Sequence, residues 1–199
     1  AGAGFVNFYL TRDSLAEVLA EVSRKDGDFG RSNFGKGKKV LLEFVSANPT
    51  GPLTIAHGRQ AAVGDSLARI LKATGHEVTS EYYLNDAGRQ INLLGASLWA
   101  RYQEQLGMPA GFPEDGYQGA YLADIARKLV AEKKDALLTL PPEEAVEFCK
   151  SYAASKIMEQ IKTDLADCRA RFDSTFSEKT LYQKDAVASA LDYLKEKEF

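Results

Sequence analysis

Between residues 40 and 75 the pattern of apolar and polar positions changes character twice. Val40-Leu41-Leu42-Glu43-Phe44-Val45 is a β-branched and aromatic run with the composition of a strand. It gives way to a turn cluster holding Pro49, Gly51 and Pro52, and then, from Ile55, to helical spacing that runs to Thr74 and stops at Gly75. Val63, Leu67, Ile70 and Leu71 form the stripe expected to pack on a sheet, while His57, Gln60, Ala61 and Gly64 form a small-residue face that allows close approach. Residues 77–84, with Val78, Tyr82 and Leu84 on one parity, read as a second strand, which a right-handed crossover sets parallel to the first. Strand, crossover and helix in this order put free helix N–H groups at the carboxyl end of the strand, where an anion meets the positive end of the helix dipole.

Elsewhere the periodicity is mainly helical. Phe5 to Leu10 has strand composition, and Asp13 or Ser14 is placed to cap a helix whose apolar face is Leu15, Val18, Leu19 and Val22. Residues 26–39 mix glycines with Arg31, Lys36, Lys38 and Lys39; a solvated linker is the favoured reading, a contact to RNA phosphate the other. Asn85-Asp86 is placed to cap a helix carrying Ile91, Leu94, Leu98 and Tyr102, stopped by Gly107 and Pro109. A loop over 109–119 leads to a helix over 121–132 with Leu122, Ile125 and Leu129 inward. Pro141-Pro142-Glu143-Glu144 opens a long helix whose stripe includes Ala145, Cys149, Tyr152, Met158, Ile161, Leu165 and Cys168. Residues 171–181 break it, and 185–197 read as a last helix with Val187, Leu191 and Leu194. No strand is expected after Leu93, so a helical unit is expected to interrupt the sheet.

Composition narrows the function classes. The 199 residues carry a formal charge of −3 and are 45% hydrophobic, an ordinary globular balance. The acidic excess argues against a broad basic surface for nucleic acid, although it leaves room for a local contact. No apolar run approaches the ~20 residues a bilayer span needs, and the start lacks a basic stretch followed by an apolar one, so a cytoplasmic protein without membrane association is expected. Cys149 and Cys168, on one expected helix, would be roughly 28 Å apart and are read as buried unpaired thiols. Two histidines and no Cys-x-x-Cys pair argue against a metal site.

Ser46-Ala47-Asn48-Pro49-Thr50-Gly51-Pro52-Leu53, followed by Thr54-Ile55-Ala56-His57 and Gly58-Arg59, resembles the signature region of class I aminoacyl-tRNA synthetases, and specifically of the arginyl-tRNA synthetase family. In the place of the family's His-Ile-Gly-His-type motif only the last histidine matches; Thr54 and Ala56 replace the first histidine and the glycine. Glu81-Tyr82-Tyr83-Leu84-Asn85-Asp86-Ala87-Gly88-Arg89-Gln90-Ile91 is a second match, and Gly4 to Phe8 and Phe172 to Glu178 are weaker ones, so the resemblance spans nearly the whole chain in the family's order.

The resemblance implies an α/β fold, a partial Rossmann-like nucleotide-binding parallel sheet with a mainly α-helical insertion. Residues 1–39 would be the end of a preceding domain and a linker, 40–92 the first half of the catalytic domain, and 93–199 the insertion. It implies an arginine-tRNA ligase using L-arginine, ATP as its Mg2+ complex and tRNA(Arg), with no tightly bound cofactor and a monomeric full-length enzyme. His57 and Thr54 would be catalytic, and Pro52, Leu53, Thr54, Ala56, His57 and Gly58 would bind ATP. Glu43, Ser46 and Asn48 would bind arginine, with Asn85, Asp86 and Gln90 lining the site near the tRNA end. In amino-acid activation negative charge builds on phosphate oxygens, and a histidine in a helix's first turn can point an N–H at it. The family's Lys-Met-Ser-Lys-Ser-type loop has no counterpart here, Lys156 lying within an expected helix, so a fragment that does not aminoacylate alone is expected. Two other readings stand beside this one: a nucleotidylyltransferase-type ATP-binding domain, and a non-enzymatic helical interaction module formed by the region after Leu93.

Overall fold

The computed structural model describes residues 4–198; the first three residues of the featureless opening and the final Phe199 lie outside the described residues. Strand β1 (Lys39–Glu43) pairs in parallel with β2 (Glu77–Leu84), Lys39 opposite Glu77 and Glu43 opposite Glu81. Strand β3 (Ser174–Ser177) pairs in parallel with the other side of β2, Glu81 opposite Ser174 and Leu84 opposite Ser177. The order is β1-β2-β3, an α/β arrangement as expected from the sequence. That third strand was not expected: Ser-Thr-Phe-Ser has no apolar run, and it is held by pairing with β2 and not by its own composition.

Phe5 to Leu10 is not a strand, because among the described residues no neighbour pairs with it and its side chains are exposed. Helix α1 (Arg12–Lys25) is capped by Thr11, which accepts the Ser14 N–H at 3.3 Å, and not by Asp13 or Ser14. The glycine-rich basic segment after it is docked: the N–H groups of Ser32, Gly35 and Gly37 donate to the carbonyls of Ala73, Thr74 and Gly75. It thereby satisfies carbonyls at the carboxyl end of helix α2 (Ile55–Ala73) that have no partner within the helix.

Helix α2 packs on the sheet with the opposite face from the one its large apolar residues suggest. Ala61, Gly64 and Ala68 are buried, whereas Val63, Leu67 and Ile70 are 63, 41 and 60% exposed. Close approach decides this: a Cβ on Gly64 would lie 2.2 Å from the Phe44 ring, so only glycine lets α2 come down onto that ring. Phe44 in turn packs on Phe172 (centroids 4.5 Å apart), which meets Tyr82 edge-on at 5.3 Å.

The larger core lies in the helical layer. Helix α3 (Arg89–Gln105) buries Ile91, Leu94, Leu98 and Tyr102, the residues its period predicts. It packs on α4 (Ala120–Lys133) through Leu122, Ala126 and Leu129, and on α5 (Pro142–Asp167) through Ala145, Cys149, Ala153, Ile157, Ile161 and Leu165. Each fully buried leucine or isoleucine contributes ~2 kcal/mol. Tyr152 and Met158 are half-buried; Cys168 follows the end of α5 and is exposed, because the helix stops at Asp167 before turning it inward. Helices α6 (Lys179–Gln183) and α7 (Ala186–Glu196) follow β3.

The start of α3 also differs from expectation. Gly88, at φ 88°, is its N-cap, and neither Asn85 nor Asp86 caps α3. Asp86 instead accepts from the Ser177 hydroxyl (2.6 Å) and the Lys179 N–H (3.0 Å), tying the end of β2 to the end of β3.

Candidate active site at the amino end of helix α2

The segment between β1 and α2 (residues 44–54) leaves the strand abruptly. Val45 and Ser46 have φ of 65° and 41°, and a β-branched residue there costs ~1–3 kcal/mol of backbone strain. That turn ends β1 at Glu43, two residues before the apolar run does, and brings Ser46 Oγ under the Tyr83 N–H (3.0 Å).

Four hydrogen bonds from three other elements hold the strained segment. Besides the Tyr83 N–H, the Tyr82 hydroxyl donates to the Ala47 carbonyl at 2.7 Å, the Asn48 amide donates to Gln90 Oε1 at 2.6 Å, and the Tyr121 hydroxyl donates to the Thr50 carbonyl at 2.6 Å. Burial pushes the Tyr82 phenol up to about 12, its hydrogen bond to Ala47 opposing that only in part, so the group stays a neutral donor. Burial, and after it the neighbouring Tyr117, also raises the Tyr121 phenol above its ordinary value.

At the end of the segment the Thr54 N–H donates to His57 Nδ1 at 3.0 Å, and the Thr54 hydroxyl lies 3.1 Å from the same nitrogen. A backbone N–H can only donate, so Nδ1 is the acceptor and the neutral ring carries its proton on Nε2. The helix start thus presents a fixed imidazole donor beside the unpaired N–H groups of the first turn of α2. Thr54 acts on the ring, holding its tautomer and orientation, and presents no donor of its own at the tip.

His57 lines an open depression of about 460 Å³ together with Asn48, Pro52 and Gln90, four residues singled out from the sequence. Tyr117 and Tyr121 line it too and were not foreseen. Both stand in Gly116-Tyr117-Gln118-Gly119-Ala120-Tyr121, and Tyr121 lies off the Leu122, Ile125 and Leu129 stripe; that displacement of a large aromatic from its helix's core face was the available signal. Glu43 and Ser46 line a neighbouring open cleft of about 520 Å³ with Arg59 and Gln60 on α2, so the three residues assigned to arginine divide between two adjoining depressions. Ala56 and Gly58 are exposed on the first turn, and Leu53 packs against the core. Asp86 lies apart, in a cleft of about 480 Å³ at the end of β2 that also holds Lys150, Lys162 and Lys179. Asn85, with its amide oriented to donate, reaches the Ala87 carbonyl at 3.1 Å and the Glu178 carboxylate at 2.7 Å. Among the described residues no three His, Cys, Asp or Glu side chains gather as a metal site. No helix among them is long and apolar enough to cross a membrane.

A parallel sheet whose first strand hands over to a histidine-tipped helix, with a helical layer before the third strand, is an α/β arrangement of the class I synthetase type. Residues 18–199 match the family described as tRNA synthetases class I (R), catalytic domain, and the chain belongs to that family. It is 50% identical over 197 residues to the arginine-tRNA ligase of Syntrophotalea carbinolica, covering 99% of this chain and 36% of that protein. It is 47% identical over 197 residues to that of Thermotoga maritima, again 99% of this chain and 36% of the relative. Among solved structures it resembles one assigned as an arginyl tRNA synthetase from Campylobacter jejuni, with a TM-score of 0.82 and 34% identity over 94% of this chain and 40% of that one. The Thermus thermophilus arginyl-tRNA synthetase matches with a TM-score of 0.59 and 26% identity, over 96% of this chain and 31% of that one. The chain therefore spans about a third of the length of the curated relatives it matches.

Proposed function

We propose that this chain supplies the nucleotide and amino-acid site of an arginine-tRNA ligase. An oxygen of the L-arginine carboxylate attacks the α-phosphorus of ATP, the bond to the β-phosphate oxygen breaks, and pyrophosphate leaves arginyl-adenylate. A hydroxyl of the terminal ribose of tRNA(Arg) then takes the arginyl group and AMP departs. The observation that carries this reading is the His57 ring, which lines the depression and is held at Nδ1 by the Thr54 N–H, leaving the proton on Nε2. A preorganised donor there stabilises the charge that develops on the phosphate oxygens more than it stabilises bound ATP.

The nucleotide, entering as its Mg2+ complex, lies across Pro52, Leu53, Thr54, Ala56 and Gly58 on the exposed start of α2. Asn48 and Ser46 orient the amino acid, and the Glu43 carboxylate is the planar acceptor that a guanidinium pairs with. The cleft with Lys150, Lys162 and Lys179, next to Asp86 and Asn85, is a local basic feature in an acidic chain and suits the tRNA backbone. The complete enzyme is proposed as a cytoplasmic monomer with no tightly bound cofactor and no membrane attachment.

The test is ATP–pyrophosphate exchange by the complete open reading frame that contains this sequence, with tRNA present. Exchange should require L-arginine in preference to other amino acids, and His57→Ala should lower kcat by about 10²–10³-fold, the cost of one transition-state donor. Exchange indifferent to arginine, or unchanged in the variant, would refute the reading.

A further inference from the structure

We propose that Tyr121, on helix α4 of the helical insertion, is a positioning residue that sets the arginine end of the site by latching the segment between β1 and α2 through the Thr50 carbonyl; this rests on the function proposed above. The hydroxyl donates to that carbonyl at 2.6 Å across a sequence separation of 71 residues. It also lies 3.5 Å from where a Gly51 Cβ would stand, so ring and segment are in contact around the bond.

Thr50 stands two residues after Asn48 and follows the strained turn at Val45 and Ser46. Its N–H already donates to the Asn48 carbonyl at 2.8 Å, which folds the Asn48 to Thr50 stretch into one tight unit. Pulling on the Thr50 carbonyl therefore moves the Asn48 backbone with it. The His57 end has its own lock, the Thr54 N–H to Nδ1 bond, and does not depend on Tyr121. The latch should accordingly govern the amino acid more than the nucleotide.

The insertion holds Tyr121 in place from behind. Gly119, the N-cap of α4 at φ −57°, packs so closely on the ring that a Cβ there would lie 2.4 Å from Tyr121 Cε1. An alanine fits that backbone without strain but must displace the ring, which gives a second way of disturbing the latch without touching the depression's floor. Tyr152, on α5, donates its hydroxyl to the Glu132 carboxylate at 2.9 Å outside the depression, so it serves as the matched control for loss of a tyrosine hydroxyl.

The experiment is arginine-dependent ATP–pyrophosphate exchange by the complete open reading frame, comparing the unaltered protein with Tyr121→Phe, Gly119→Ala and Tyr152→Phe. Tyr121→Phe keeps the ring and removes one hydrogen bond, so KM for arginine should rise about two- to tenfold. KM for ATP and kcat should stay within about twofold, because the His57 end retains its own lock. Gly119→Ala should move the same constant in the same direction, and Tyr152→Phe should leave it in place. A folded Tyr121→Phe protein with KM for arginine unchanged overturns the latch alone. So does an equal loss in both KM values and kcat, which marks general loosening. An unaltered protein without arginine-dependent exchange overturns the function on which the latch depends, and the latch with it.

Discussion

At His57 the local sequence and the proposed chemistry meet in one ring. The Thr54 N–H donates to Nδ1 of His57, so the neutral ring carries its proton on Nε2. The two cysteines show how strongly surroundings decide reactivity. Burial pushes the Cys149 thiol up to about 12, while Cys168 is exposed beyond the end of α5. A thiol reagent at mildly alkaline pH should modify Cys168 promptly and Cys149 only on unfolding; two equally fast reactions under native conditions would contradict the packing. Tyr82 gives a pH dependence with a definite sign. Its phenol titrates at about 12 in the fold against an ordinary value of 10.0, so the fold favours the neutral form. That stabilisation is complete below pH 10 and lost as pH rises through about 12, with Cys149 adding to the loss from its ordinary 9.0 upward. Melting curves should fall steeply across that window, and less steeply for Tyr82→Phe.

Among the elements, those that carry their own signal were legible. The stripes of α3 and α4 and much of α5 followed the 3.6 period, and the strand, crossover and helix order around Asn48-Pro49-Thr50-Gly51-Pro52 followed from composition. What depends on neighbours was not. The four residues of β3 are a strand only because β2 offers an edge, and α2 was expected to bury Val63, Leu67 and Ile70 because periodicity shows a helix's apolar face but not which face meets the sheet. Gly88 took the cap from Asn85 and Asp86 because β3 and α6 claimed the Asp86 carboxylate. In the candidate site, Asn48, Pro52, His57 and Gln90 line one depression, while Tyr117 and Tyr121 belong to a loop and helix that only the tertiary fold brings there. The α2 packing carries its own test. Gly64→Ala should destabilise by about 1–3 kcal/mol in denaturant unfolding, as overpacking against Phe44 does. Gly58→Ala, with open space around its added methyl, should be neutral or stabilise by up to ~1 kcal/mol. Equal effects at the two positions would argue against the close contact.

Across the whole molecule, β1 has one paired side among the described residues, and Leu41 on it is 64% exposed, with Val63 and Ile70 of α2 also open at 63 and 60%. An unpaired strand edge beside exposed aliphatic side chains is a template for self-association. Residues 1–199 on their own should show concentration-dependent association in sedimentation velocity, weakened by Leu41→Lys; a species independent of concentration would show that the edge is protected. The helical layer, by contrast, buries Leu94, Leu98, Tyr102, Leu122, Leu129 and Ile161 almost completely, and it reaches the candidate site through Tyr121.

The most direct test of the central claim is the protonation state of the His57 ring nitrogens, read from long-range 1H–15N correlations in the complete open reading frame with selectively labelled histidine. A proton on Nε2, a bare Nδ1, and a shift of the Nε2 resonance on adding MgATP are the expected result. A proton on Nδ1, or an Nε2 signal indifferent to MgATP, would contradict a phosphate-facing donor at the head of α2.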